Sequence, residues 1–254
     1  MKKQALVILA TALALALPGG SLAGQAPAPP AGFVDAARVV PELVVEARYF
    51  GSHNFLGRPV RGYQAPVCLL TKQAAAALAK VQAELKPLGL GLKVYDCYRP
   101  GRAVAHFVAW AKNLDDRATQ VEFYPTVAKK DLFAKGYIAE RSSHSRGSTV
   151  DLTIIPLPPP AQETYQAGKN QRTCYKPAGQ RFGDNSLDMG TGFDCFHPLA
   201  HTANPRVGPQ QRANRLLLRS LMAKHGYVNY DLEWWHYTLA PEPYPNTYFD
   251  FPVR

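Results

Sequence analysis

The sequence predicts one α+β domain, and three observations carry that expectation. Helical and strand patterns interleave irregularly along the chain, without the β-α repeat of a doubly wound sheet. Beyond an apolar N-terminal segment roughly 230 residues remain, a length that suits one domain with a sizeable core. The one long irregular stretch, 156–209, is rich in Pro, Gly, Asn and Asp and carries two cysteines able to tie it down.

At the N-terminus, Lys2 and Lys3 precede an almost unbroken run of Ala, Leu, Val and Ile from Ala5 to Leu17. Pro18-Gly19-Gly20 and Ser21-Leu22-Ala23 follow. This is the pattern of a secretory signal over residues 1–23, with an apolar core too short for a comfortable membrane span. Residues 24–32 contain Ala-Pro-Ala-Pro-Pro and read as a disordered leader, which leaves 33–254 as the domain. The mature protein is expected to be exported, to a periplasm or into the medium. No cysteine stands just after the cut to take a lipid anchor, and no later apolar run has the length for membrane insertion.

Thr71 caps a predicted helix from Lys72 to about Lys86, rich in Ala and Leu and stopped by Pro87 and Gly89. Gly91 to Tyr98 alternates as a strand does and ends at Arg99-Pro100. Val104, Phe107, Val108 and Trp110 give helical spacing to Ala103–Lys112. Thr149 to Ile155 is a β-branched strand stopped by Pro156 and by Pro158-Pro159-Pro160. Gln210 to His225 reads as a helix with Gly226 at its end. Tyr227 to Leu239 has the aromatic and β-branched content of one or two strands.

The formal charge of +10 is scattered, with Arg58, Arg61, Lys72, Arg99, Arg102, Lys129, Lys130, Arg212 and Arg215 on different segments. A nucleic-acid reader clusters such charge with aromatics on one element, so no nucleic-acid partner is expected. Cys68, Cys97, Cys174 and Cys195 allow three pairings, and an oxidising compartment favours disulfides. Cys68–Cys97 and Cys174–Cys195 are preferred because each joins segments near in sequence. No pair has the C-x-x-C spacing of a zinc site.

Two distant stretches carry chemistry. The first is Ser142-Ser143-His144-Ser145-Arg146-Gly147-Ser148-Thr149-Val150-Asp151, the second Glu233-Trp234-Trp235-His236. Together they offer two imidazoles, one carboxylate ligand and a second carboxylate close to one imidazole. That set suits a catalytic zinc, which needs three protein ligands, an open position for water and a base for its proton. The seven steps from His144 to Asp151 would extend roughly 23–25 Å, so the chain must turn back through 145–148. Glu233 and His236, three apart in a strand-like segment, fall on opposite faces of a regular strand. A bulge or a strand end is therefore required. His197 and His201 have i, i+4 spacing but sit in a Pro-rich loop without the Glu of helical zinc sites, and His53, His106 and His225 show no partner.

With these motifs in view, the chain resembles the zinc D-alanyl-D-alanine dipeptidases known from vancomycin resistance, within the wider D,D-peptidase group. The resemblance extends through Arg48-Tyr49, Asn54-Phe55-Leu56-Gly57-Arg58-Pro59, Asp96-Cys97-Tyr98-Arg99-Pro100, Ser142 to Thr153, Asp188-Met189-Gly190-Thr191-Gly192-Phe193-Asp194 and Tyr230 to Tyr237. It implies an α+β zinc peptidase fold with a central antiparallel sheet flanked by helices. It further implies one Zn²⁺ held by His144, Asp151 and His236, with Glu233 as general base and Arg99 stabilising the oxyanion. A dipeptide has an ammonium and a carboxylate to recognise. By resemblance Asp188, helped by Tyr49, is expected at the ammonium, and Ser143 and Tyr63 at the carboxylate. Asp96 is expected to orient Arg99 or a zinc histidine.

The substrate is accordingly expected to be a small peptide, D-Ala-D-Ala or one derived from peptidoglycan. Two features depart from the family: the export signal, and the length of the stretch between Asp151 and Asp188, which is expected to reshape the mouth of the site. The alternatives are a D,D- or L,D-carboxypeptidase acting on longer peptides, and a zinc-bearing wall-binding protein without turnover. Glu233 and Arg99 argue against the last.

Overall fold

The computed structural model describes residues 30–254. The expected signal, 1–23, and most of the expected leader lie outside the described residues. Residues 30–32, placed at the end of that leader, are already part of the fold. Phe33 N donates to Pro30 O at 2.9 Å and Lys72 N to Gly32 O at 2.9 Å, and a Cβ on Gly32 would collide with the Tyr244 hydroxyl.

In chain order the elements are β1 (Phe33–Asp35), β2 (Val44–Val45), β3 (Leu69–Thr71), α1 (Lys72–Leu85), β4 (Leu90–Asp96), α2 (Gly101–Lys112) and α3 (Gln120–Phe123). β5 (Thr149–Pro156), α4 (Pro209–Lys224), β6 (Tyr227–Asn229) and β7 (His236–Leu239) follow. Thr71 caps α1 as expected, its side chain accepting from Ala74 N. Gly226, at φ +87°, follows the end of α4. α2 begins two residues earlier than its apolar spacing suggests, with Pro100 at the cap position.

The main sheet has the order β2-β4-β5-β7-β6, and β1 pairs with β3 in a separate two-stranded sheet. The expected antiparallel arrangement holds for β4, β5, β7 and β6, but the sheet is mixed because β2 joins the edge parallel to β4. β2 is only two residues long, and the chain continues the pairing irregularly through Glu46 N to Val94 O and Arg48 N to Tyr95 O. β5 is central, and every residue from Thr149 to Ile155 is buried, which is where β-branched side chains fit best. α1 and α4 pack against each other and against the sheet.

Both preferred disulfides form, Cys68–Cys97 and Cys174–Cys195. The long stretch 156–209 stays irregular apart from one 3-10 turn, Pro198–Ala200. It is nevertheless held firmly. Arg215 of α4, one of the scattered charges, is fully buried and donates to three of its carbonyls, Met189, His201 and Leu199, at 2.7, 2.8 and 2.8 Å. Backbone acceptors left unpaired by an irregular segment thus find a single multidentate donor.

Candidate active site

Strand register assembles the site. Asp96 at the end of β4 pairs with Asp151 on β5, and Asp151 pairs with His236, the first residue of β7. The β4 register shifts between Val94 and Asp96. Without that irregularity Tyr95, not Asp96, would stand opposite Asp151. His144 arrives from outside the sheet on a 3-10 turn, Ser143–Arg146, that leads directly into β5. Gly147 closes the turn at φ +83°, and a Cβ there would collide with the Phe33 ring. The turn-back expected between His144 and Asp151 is this one.

Glu233 and His236 meet by the strand-end solution. A turn precedes β7, with Glu233 N donating to Tyr230 O at 2.9 Å and His236 N to Glu233 O at 3.3 Å. Asn229 Nδ2 clamps it by donating to the carbonyls of Glu233 and His236, both at 3.0 Å. Trp234 and Trp235 between them are buried core.

His144 Nε2, Asp151 Oδ1 and His236 Nδ1 converge, with separations of 3.3, 3.1 and 3.3 Å. Metal bonds of ~2.0–2.1 Å in tetrahedral geometry set donor atoms ~3.3 Å apart, so the three atoms describe one face of such a tetrahedron. Asp151 Oδ1 is buried and accepts no hydrogen bond, the condition of a ligand atom awaiting a cation. The other ring nitrogens are engaged as ligand histidines require. His144 Nδ1 donates to Cys97 O at 2.7 Å, and His236 Nε2 lies 3.2 Å from Ser143 Oγ. Among the described residues no other group has this spacing. His197 stacks on Tyr175 instead.

Glu233 Oε2 stands 3.4 Å from His236 Nδ1, and burial pushes its carboxyl up to about 7 against the pull of His236. Burial would also raise Asp151, but the imidazoles of His144 and His236 outweigh it and hold the carboxyl below its ordinary range. Arg99 is fixed on every side. Nε donates to Asp96 Oδ2 at 2.9 Å and Nη1 to Ser142 Oγ at 3.4 Å, Nη2 lies 3.6 Å from Asp151 Oδ2, and the guanidinium lies over the rings of Phe107 and Tyr49.

These groups line a cavity of about 230 Å³ together with Tyr49, Ser143 and Asp194, smaller than the usual drug-sized site. Two expectations are corrected here. Asp188 lies outside the cavity, its carboxylate taken by Arg181, by Gln211 Nε2 at 2.7 Å and by Gly190 N at 2.8 Å. Tyr63 does not line it either, because its hydroxyl donates to Asp96 Oδ1 at 2.6 Å and so braces the carboxylate that holds Arg99.

A carboxylate to which the sequence assigns no role, Asp194, stands at the other end of the same motif. It is 5 % exposed, accepts from the Tyr49 hydroxyl at 2.8 Å, and faces the cavity. Burial first, and the charge of Asp151 second, push its carboxyl well above the ordinary value. Its neighbours held the signal: Phe193 is packed against Tyr95 and Trp235, and Cys195 is disulfide-bonded, which fixes the residue between them.

Comparison with known proteins agrees with this geometry. The peptidase M15 profile, described as D-ala-D-ala dipeptidase, matches residues 30–157 and 178–254. The chain belongs to this peptidase family. It is 40% identical to a D-alanyl-D-alanine dipeptidase of Streptomyces coelicolor over 221 residues, 87% of this chain and 96% of the relative. It is 38% identical to the protein of that name from Enterococcus faecalis, covering 82% and 91% of the two chains. To the Escherichia coli protein of the same name it is 34% identical over 81% and 83%.

Residues 158–177, between the two matched parts, are where this chain departs from the family profile. The long stretch does not reshape the mouth of the site, since none of residues 152–193 lines the cavity. It covers a different polar group instead. His53, expected to be unpartnered, is 2.8 Å from Glu122 Oε1, and Tyr165 stacks on its ring at 3.8 Å. His225 also has a partner, Glu84.

Proposed function

We propose that this protein is an exported zinc metallopeptidase that hydrolyses D-Ala-D-Ala as a free dipeptide. The observation that carries the reading is Asp194, a buried carboxylate with its tyrosine partner in the same small cavity as the three ligand atoms. A carboxylate so placed is desolvated unless a cation joins it, and the ammonium of a dipeptide is such a cation. A longer peptide would bring a neutral amide to the same place, which disfavours the carboxypeptidase alternative.

His144, Asp151 and His236 would hold the zinc, and the donor set of two neutral imidazoles and one carboxylate leaves it net positive. Bound there, the ion would polarise the scissile carbonyl and acidify water. Glu233, beside His236, takes the proton of the attacking water and passes it to the leaving amine, work that suits a carboxyl pushed up to about 7. Arg99, immobilised by Asp96 and stacked on Phe107, presents its remaining N–H groups to the charge that develops on the carbonyl oxygen. Ser143 Oγ accepts from His236 and keeps its own proton to donate to substrate.

Export rests on the composition of residues 1–23 and on the two disulfides, which persist in oxidising compartments. No helix among the described residues is long and apolar enough to cross a membrane. Outside the cytoplasm the substrate would be dipeptide released by wall turnover. The test offers zinc-loaded protein D-Ala-D-Ala, L-Ala-L-Ala and a pentapeptide ending in D-Ala-D-Ala. Cleavage of the D-dipeptide alone is expected; cleavage of the pentapeptide without the dipeptide would overturn the reading.

A further inference from the structure

A dipeptide substrate brings a carboxylate as well as an ammonium, and the residues expected to receive it are largely committed elsewhere. Tyr63 is bound to Asp96, and Ser143, its oxygen engaged by His236, has a single proton left to offer. Ser142 Oγ accepts from His144 N at 3.3 Å and from Arg99 Nη1 at 3.4 Å. Two arginines are among the residues that line the cavity, the half-buried Arg99 and the exposed Arg141. Arg99 is already neutralised by Asp96 and faces Asp151.

Arg141 is different. Among the described residues it has no carboxylate within ion-pair distance, and it makes no side-chain hydrogen bond within the protein. Its guanidinium lies 4.0 Å from the centroid of the Tyr248 ring. Tyr248 is in turn placed by Arg146, whose Nη1 donates to its hydroxyl at 3.2 Å. Arg146 is itself paired with Glu242 through Nε at 2.9 Å. A relay of three side chains therefore builds an aromatic shelf under one cation that keeps all its donors free. Directly after it in sequence come Ser142, Ser143 and His144, so the segment carrying this cation is the one carrying a metal-ligand candidate.

We infer that Arg141 binds the C-terminal carboxylate of the substrate and selects peptides that end in a free acid at this position. The inference rests on the dipeptidase reading and deepens it. Asp194 and Tyr49 receive the ammonium, Arg141 receives the carboxylate, and the distance between the two ends sets substrate length. Guanidinium suits the task because its planar fork matches a carboxylate in bidentate fashion. The stack on Tyr248 limits the freedom it loses on binding.

The test compares zinc-loaded wild type, Arg141→Gln and Arg141→Lys on D-Ala-D-Ala and on its C-terminal amide, in steady-state kinetics at low and high salt. Wild type is expected to prefer the acid over the amide by about tenfold or more in kcat/KM, with the preference shrinking as salt rises. Arg141→Gln is expected to raise KM for the acid about tenfold, keep most of kcat and bring the acid-to-amide ratio close to one. Arg141→Lys restores much of the preference. An unchanged ratio in Arg141→Gln, or a wild type that cleaves acid and amide equally well, overturns the inference and leaves the dipeptidase reading standing. Failure of wild type to cleave D-Ala-D-Ala at all overturns both.

Discussion

Asp194 has φ +55°, in the left-handed region that Asp and Asn tolerate better than other side chains. That backbone turns its carboxylate towards the cavity, whereas Asp188, six residues earlier in the same motif, is drawn to Arg181 and Gln211. Asp194→Asn keeps the backbone preference and removes the charge, so it separates recognition from folding. Its expected effect is a KM for D-Ala-D-Ala raised at least tenfold, with thermal stability equal to or above wild type, since a costly buried carboxylate is gone. Glu233→Gln should act on kcat instead, lowering it by roughly 10²–10⁴ with zinc content unchanged, the range for loss of a general acid–base group. Steady-state kinetics with metal analysis checks both, and a kcat loss dominating in Asp194→Asn would refute its assignment to recognition. The metal-ligand candidates were legible in sequence because few residue types coordinate an ion and their motifs are compact. That Asp194 and not Asp188 reaches the cavity was not, because a backbone dihedral and the packing of Phe193 decide it.

Elements with local causes were equally legible. Thr71 caps α1, Gly89 and Gly226 follow helical segments at positive φ, and the β-branched run of β5 needs only burial. β1, β2 and β3 were not, for each has two or three residues and exists through partners distant in sequence. The family-divergent segment 158–177 covers His53 and Glu122, which face each other at 2.8 Å beneath Tyr165, with Arg48 and Arg172 lining the same recess. Burial pushes Glu122 up to about 7 and His53 well below its ordinary 6.5. Between the ordinary values of 4.5 and 6.5 the folded pair therefore holds one proton, and so does the unfolded pair, which carries it on histidine. Equal proton counts leave stability flat across that window. In Glu122→Gln the folded state holds none and unfolded His53 still takes one. Stability should then be present above 6.5 and fall with decreasing pH, by about 1.4 kcal/mol per unit. Denaturant titrations of both proteins from pH 5 to 7 test this, and parallel pH profiles would refute the shared proton.

At the scale of the whole molecule, the elements that carry the metal-ligand candidates are remote in sequence and meet only in the finished fold. β5 and β7 supply Asp151 and His236, the turn before β5 supplies His144, and each disulfide ends beside a site group. The Cys97 carbonyl accepts from His144, and Cys195 follows Asp194. A cation held by the triad would therefore link the outer turn to two strands of the sheet. The same cavity collects the carboxylates of Asp151, Asp194 and Glu233, with Asp96 immediately behind Arg99. Gathering these groups opposes folding when no divalent ion joins them, because buried carboxyls must either repel one another or take up protons. A ligand that binds only the folded state stabilises it by about 2.7 kcal/mol at a hundredfold excess over Kd, which is roughly 5–11 °C in Tm for a domain of this size. Metal-stripped protein should therefore melt lower by at least that much and recover on adding zinc. Asp151→Asn, which keeps the shape of the side chain and removes the unpaired ligand oxygen's charge, should lose most of the zinc-induced shift. Differential scanning calorimetry at a series of free zinc concentrations measures it. A full shift in Asp151→Asn would place the stabilising ion somewhere other than among His144, Asp151 and His236.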